Sequence, residues 1–267
     1  MLTKTSFQGK LTKTENLFIP FVVAGDPDPE MTIQYALRLQ EEGADILELG
    51  VPYSDPLADG PTIQRAAKRA LNAGMSLRKA IKLVPELRKH GVEIPVVIFT
   101  YYNPVLQIGH EDFFKLLEEN GAEGVLIPDL PYEESEEVRG LAEEKNIEFI
   151  SLVAPNSDLR IKQIAEHARG FLYCVSTLGV TGEQNKGMSA ESLSFIKKVK
   201  EHSPVPVAVG FGISSNEDVK LVRKQADGVI IGSKIIRLIE DGLEHVEKGN
   251  RDAALENFSN GIHELVK

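Results

Sequence analysis

Short runs of apolar and β-branched residues return about every 30 residues through this chain, and that period restricts its architecture more than any other feature. Phe18–Val23, Ile46–Gly50, Val96–Thr100, Gly124–Ile127, Glu148–Val153, Phe171–Val175, Val207–Val209 and Gly228–Ile231 read as eight strands. Their first residues advance from 18 to 228 in seven steps averaging 30, the length of one βα unit. Amphipathic stretches with helical spacing lie between them: Met31–Glu42, Leu77–His90, Glu111–Asn120, Glu133–Lys145, Leu159–Ala168, Ala190–His202 and Asn216–Gln225. Ser157 or Asp158 and Ser214 or Ser215 are placed as N-caps, and Gly91 and Gly121 as helix stops. This alternation is α/β. Eight units with no linker or composition break fit one (β/α)8 TIM barrel, residues 1–267 as a single domain, better than a doubly wound open sheet.

Composition narrows the partners. Lys and Arg number 30 against 40 Asp and Glu, a net charge of −10, so neither nucleic acid nor an anionic membrane is an expected general partner. Cys174 is the single cysteine and cannot form an internal disulfide; inside a strand, it reads as a small core residue. The N-terminus MLTKTSFQGKLTKTENL has no apolar run of the signal-peptide kind, and no stretch has the roughly 18 apolar residues that span a bilayer. A cytoplasmic protein is expected.

In such a barrel the chemistry sits at the carboxyl ends of the strands and in the loops after them. Glu48 is the only ionisable side chain inside its strand, flanked by Leu47 and Leu49, where a carboxylate is costly unless it is paired or used. A buried ion pair is the structural alternative. The long loop VPYSDPLADGPTIQ carries Asp55 and Asp59, either turn formers or, with Glu48, half of an acid–base pair. Pro128 and Asp129 follow the fourth strand. After strands seven and eight, GFGIS (Gly210–Ser214) and IGS (Ile231–Ser233) offer backbone N–H groups where these barrels bind phosphate, and Gly179–Gly182 follows strand six. Phe21, Phe99, Tyr101, Leu126, Leu152, Tyr173 and Phe211 make the mouth apolar, which suits a ligand with a flat apolar end and a phosphate end. No lysine lies at a strand end, against a Schiff-base aldolase, and the six histidines fall in helices or at their ends as solvated surface residues, against catalytic zinc.

The segment LELGVPYSDPLADGPTIQ (Leu47–Gln64), with PFVVAGDP (Pro20–Pro27), TYYNPV (Thr100–Val105), GVTG (Gly179–Gly182) and GFGIS, closely resembles the tryptophan synthase α subunit over nearly the whole chain. The resemblance implies reversible retro-aldol cleavage of indole-3-glycerol phosphate to indole and glyceraldehyde 3-phosphate, without metal or cofactor in this chain. It places the general acid–base at Glu48 and a second catalytic carboxylate at Asp59. It also implies an indole pocket of Phe21, Tyr101, Leu126, Leu152 and Tyr173, a phosphate site of Gly182, Phe211, Gly212, Gly232 and Ser233, and a lid containing Thr181 that meets the Asp59 loop. Thr177 departs from the pattern, standing where some members carry a basic residue. Indole would pass to a pyridoxal-phosphate β subunit in an αββα heterotetramer. A free-standing lyase that releases indole and a barrel that only regulates a β partner are the alternatives; intact Glu48 and Asp59 speak against the second. The polar loop around Asp59 is expected to keep its pKa low.

Overall fold

A computed structural model describes residues 7–155, 160–175, 190–210 and 212–267. Nine strands appear: β1 (Leu17–Val23), β2 (Leu47–Gly50), β3 (Val96–Phe99), β4 (Gly124–Leu126), β5 (Glu148–Phe149), β6 (Leu152–Val153), β7 (Leu172–Val175), β8 (Val207–Gly210) and β9 (Gly228–Ile231). All pair in parallel, in the order β5-β4-β3-β2-β1-β9-β8-β7-β6. The two ends of that order, β5 and β6, are neighbours in the chain, separated only by Ile150 and Ser151. They are halves of the expected fifth strand. The Ile150 amide bonds Val125 O on one side, and Tyr173 N bonds Ser151 O on the other, so this one run joins both edges and the sheet closes as a barrel.

The helices, in chain order, are α1 (Phe7–Lys10), α2 (Pro29–Glu41), α3 (Pro61–Asn72), α4 (Leu77–Ile81), α5 (Leu83–Lys89), α6 (Tyr102–Ile108), α7 (His110–Asn120), α8 (Glu136–Glu144), α9 (Ile161–Glu166), α10 (Ala190–His202), α11 (Asn216–Arg223), α12 (Ser233–Asp241), α13 (Leu243–Glu247) and α14 (Arg251–Val266). Ser215 caps α11 reciprocally with Asp218, and Gly121 ends α7 in the left-handed region, as the sequence signals indicate. The cap expected at Ser157 or Asp158 lies outside the described residues. Where one helix is expected over Leu77–His90, two form. Pro85 has no N–H for the Ile81 carbonyl and its ring crowds that oxygen, so the first helix stops there. The expected helices omit α1, α6, α12, α13 and α14, and also α3, whose Gly60 and Pro61 resemble turn residues. Proline at the first helical position removes only a donor that would be unpaired anyway.

Consecutive strand residues are buried on opposite faces, and β1 is buried along its whole length. Leu17, Ile19, Ile46, Val97, Leu126, Ile150, Phe171, Tyr173 and Ala208 fill the barrel interior, and Phe7 of α1 packs with them. Phe18, Val22, Val96, Ile98, Val207 and Val209 face the helices. Lys10 and Arg88 both pair with Glu123, which also accepts the Val96 amide, tying α1 and α5 to the start of β3.

One ionic cluster fixes the two helices that begin at the open end. Arg69 of α3 makes a two-point contact with Asp26, at 2.7 and 2.9 Å, and reaches Glu240 of α12 at 2.9 Å. Arg65 bonds Glu240 through two further nitrogens. The Asp26 side chain is fully buried, and its desolvation pushes the carboxyl up despite Arg69 beside it. Arg69→Ala would leave that group without its partner. Urea unfolding is expected to show a loss of about 3 kcal/mol or more, whereas Arg38→Ala, at an exposed pair with Glu41, should cost less than about 1 kcal/mol.

Candidate active site

Glu48 points into the barrel from β2, in register with Phe21 on β1 and Val97 on β3. It is 1% exposed. Among the described residues its Oε1 has no hydrogen-bond partner and no ion pair involves it, so none of them supplies the structural ion-pair alternative. Burial alone pushes its carboxyl up to about 8.

Asp59 lies in the loop after the same strand, immediately before Gly60 and α3. It is 8% exposed, and no side-chain cap bond forms at the start of α3. The expectation of a low pKa is overturned. Burial raises its carboxyl to about 6, while a hydrogen bond from the Tyr101 hydroxyl pulls it back. The loop is polar in sequence, but folding it over the barrel mouth removes the water that would have held the pKa down. Gln64 Nε2 donates to the Asp59 carbonyl at 2.7 Å and fixes the backbone from the first turn of α3. Asp55 is exposed and accepts from Ser54 Oγ.

Tyr173 on β7 brings the two carboxyls into relation. Burial, then the charges of Glu48 and Asp59, hold its phenol well above the usual range, which sets both carboxyls within electrostatic reach of one hydroxyl. Its ring leans over Gly210, where a Cβ would come within 2.3 Å of the hydroxyl, so β8 must end in glycine. Phe21 packs edge-on against Phe99, with centroids 5.4 Å apart at 80°, and needs the same allowance from Gly50. Leu126 is fully buried on the inner face, and Leu152 packs at its margin. These side chains converge with Glu48. Tyr101 does more than line this wall, because its hydroxyl accepts the Ala58 amide at 3.1 Å as well as bonding Asp59.

The glycine loops divide in their capacity for anions. At α11, Asp218 already takes the Ser214 and Ser215 amides, at 3.0 and 2.9 Å, so this end of GFGIS offers less than the sequence suggests. Among the described residues no side chain caps α12, its first turn holds no acidic residue, and Gly232 and Ser233 stand at its start. That leaves backbone donors free for an anion. Gly212 has φ +75° and, among the described residues, no atom within 4 Å of where a Cβ would go. Thr177, Thr181, Gly182 and Phe211 lie outside the described residues.

Elsewhere, Cys174 is fully buried and pushed up to about 12, a core thiol. His110 corrects the expectation of solvated histidines: its ring bonds the Tyr102 hydroxyl at 3.0 Å and Glu137 at 2.9 Å. Among the described residues no three His, Cys, Asp or Glu side chains are grouped to hold a metal ion, and no helix is long and apolar enough to cross a membrane.

Known proteins resemble this chain in sequence and fold. The family model described as tryptophan synthase alpha chain matches residues 7–265. The alpha chain of Geobacillus sp. strain WCH70 is 60% identical over 252 residues, 93% of this chain and 94% of that protein. The Bacillus licheniformis alpha chain is 53% identical over 253 residues, 94% of each. A structure of the α2β2 tryptophan synthase complex from Pyrococcus furiosus superposes with a TM-score of 0.83 at 36% identity, covering 94% of this chain and 98% of that one. Tryptophan synthase from Mycobacterium tuberculosis gives 0.79 at 33% identity, covering 96% of each chain. With the barrel and these matches together, the chain belongs to the tryptophan synthase alpha chain family.

Proposed function

We propose that this chain cleaves indole-3-glycerol phosphate to indole and glyceraldehyde 3-phosphate, its residues 1–267 working as one barrel. The observation that carries this reading is the Glu48 carboxyl, buried at the head of the barrel, its Oε1 without a partner among the described residues and its pKa pushed up to about 8. At neutral pH it is mostly protonated, while Asp59, near 6, is mostly ionised. Two carboxyls held in different protonation states are what the reaction requires.

Breaking the C–C bond needs an electron sink in the indole ring. Glu48 delivers its proton to indole C3, and the positive charge that spreads to N1 is stabilised by the Asp59 carboxylate accepting the N1–H. The glycerol hydroxyl on the carbon bonded to C3 then gives its proton to the Glu48 carboxylate. The C3–C bond breaks, its electrons restore the aromatic ring, and the hydroxyl carbon becomes the aldehyde. Glu48 ends protonated, so the cycle closes without a cofactor. Phe21, Tyr101, Leu126, Leu152 and Tyr173 flank the indole, and the phosphate rests on Gly212, Gly232 and Ser233 with Gly182 and Phe211, under a lid that includes Thr181.

The same reading gives the chain a β subunit partner, in an αββα heterotetramer, that carries pyridoxal phosphate and consumes the indole. The Pyrococcus furiosus neighbour is such an α2β2 complex. Two large apolar side chains stand in solvent beside the site, Leu57 at 82% exposure on the Asp59 loop and Leu106 at 52% on α6, where a partner would cover them. A soluble sugar-phosphate substrate suits the cytoplasm.

Glu48→Gln keeps the shape of the side chain and removes the transferable proton. Turnover of indole-3-glycerol phosphate is expected to fall by roughly 10²–10⁴-fold with an unchanged circular dichroism spectrum, and near-wild-type turnover would remove Glu48 from the mechanism. The pH dependence follows from the two carboxyls. Activity requires ionised Asp59 and protonated Glu48, so kcat/KM should rise through about pH 6 and fall through about pH 8. A profile flat across this range would contradict both roles. For the phosphate site, Gly212→Val imposes a side chain on a backbone with φ +75°. KM for indole-3-glycerol phosphate should rise about tenfold or more, while calorimetric binding of free indole changes little; equal weakening of both would assign the glycine to packing.

A further inference from the structure

α6 begins without a cap of its own. Its N-cap residue is Tyr101, in an extended conformation, and no side-chain cap bond forms there. Proline at 104 removes one donor of the first turn, but the Tyr102 amide still needs an acceptor. That acceptor comes from the next βα loop: Asp129 Oδ1 receives the Tyr102 N–H at 2.9 Å. The residue so anchored is directly bonded to Tyr101, whose hydroxyl holds both the Ala58 amide and the Asp59 carboxyl. The same turn grips the loop twice more. Tyr53 stacks on Tyr101 with centroids 5.1 Å apart and 29° between planes, and Asn103 Nδ2 donates to the Tyr53 hydroxyl at 3.1 Å.

We propose that Asp129 is a positioning residue for Asp59: by accepting the Tyr102 amide it fixes the turn after β3, and so sets where the Tyr101 hydroxyl holds the 58–59 segment. This inference rests on the role proposed above for Asp59. The acceptor is an ionisable carboxylate, so the bond is of the stronger, charge-assisted kind. The Tyr101 ring is long and rigid, which carries a small rotation of the turn to its hydroxyl as a larger displacement. A misplacement of about 1 Å at a reacting group can cost on the order of 10²-fold in rate. Asp129 itself borders a cavity of about 400 Å³ lined also by Ile127, Leu130, Leu152 and Arg160, so shortening it opens no sealed void and the fold is expected to persist.

The test uses the full chain. Asp129→Ala should lower kcat for indole-3-glycerol phosphate about 10- to 100-fold with KM within about threefold, and Asp129→Asn, which keeps an oxygen acceptor, should recover to within about threefold of wild type. In a Tyr101→Phe background, adding Asp129→Ala should cost no more than about twofold further, because the hydroxyl through which it acts is already gone. Asp129→Asn as slow as Asp129→Ala, or fully additive losses, would overturn the proposal. Amide hydrogen exchange gives a readout independent of turnover: Asp129→Ala should speed exchange at Ala58 as well as at Tyr102, and acceleration confined to Tyr102 would also overturn it. If the wild-type chain fails to cleave indole-3-glycerol phosphate, the reaction assigned above falls, while exchange at Ala58 still decides the coupling.

Discussion

A parallel sheet has two edges whose amides and carbonyls must find partners, and in this chain a single stretch, Glu148–Val153, satisfies both. Its first half pairs with β4 and its second with β7. Closure follows from that division, and closure places every strand's carboxyl end on the same rim. Glu48, Asp59, Tyr101, Tyr173, Gly210 and Gly232 come from separate parts of the chain, yet the closed ladder leaves them no other place to meet. The break at Ile150–Ser151 is therefore part of the site's construction, since it lets one strand change partners along its length.

The rim is electrostatically unusual because burial dominates there. Among the described residues Glu48 has no compensating cation or donor at Oε1, and Asp59 has only the Tyr101 hydroxyl to offset its desolvation. A shift of one pKa unit corresponds to 1.36 kcal/mol between protonation states, so the folded protein stores free energy in both carboxyls. For Glu48 the sign is clear: its folded pKa lies above the unfolded value, so folding is favoured at low pH and that stability is lost as pH rises toward 8. The protein tolerates this at the one place where a weakly held proton is useful. By contrast, Glu123 and Asp26, also buried, have arginines beside them. The carboxyls that hold the barrel together are paired, whereas Oε1 of the one proposed to move a proton has no partner among the described residues.

Anchoring from behind complements this arrangement. Arg69 and Arg65 bind α3 to α12 and Asp26 to α3, so the helix that follows Asp59 and the helix that begins at Ser233 are braced against each other. The carboxylate end and the anion end of the site thus share one scaffold, a condition for holding a substrate that must reach both.

Periodicity and local chemistry were enough to place most of the strands, the barrel and the position of Glu48, because the alternation of apolar runs with amphipathic helices depends on neighbouring residues alone. The motif Leu47–Gln64 also carried the family. Where Pro85 divides a helix, or Gly60–Pro61 begins one, the information was local but could be weighed in two ways. Other features depend on distant residues and no local pattern contains them. Asp59 sits in a polar segment, and only the folding of that segment against Tyr101 raises its pKa to about 6. The amides of Ser214 and Ser215 seemed free for an anion until Asp218 took them, leaving the start of α12 as the better donor. Asp129 stood in the sequence as a residue after a strand; its bond to Tyr102 spans 27 positions and exists because β3 and β4 lie side by side. The sequence by itself determined the strands, most of the helices between them and that a carboxyl is buried at a strand end, through side-chain size and spacing. The tertiary structure decided protonation and positioning, because desolvation and hydrogen bonding arise from groups that only the closed barrel brings together.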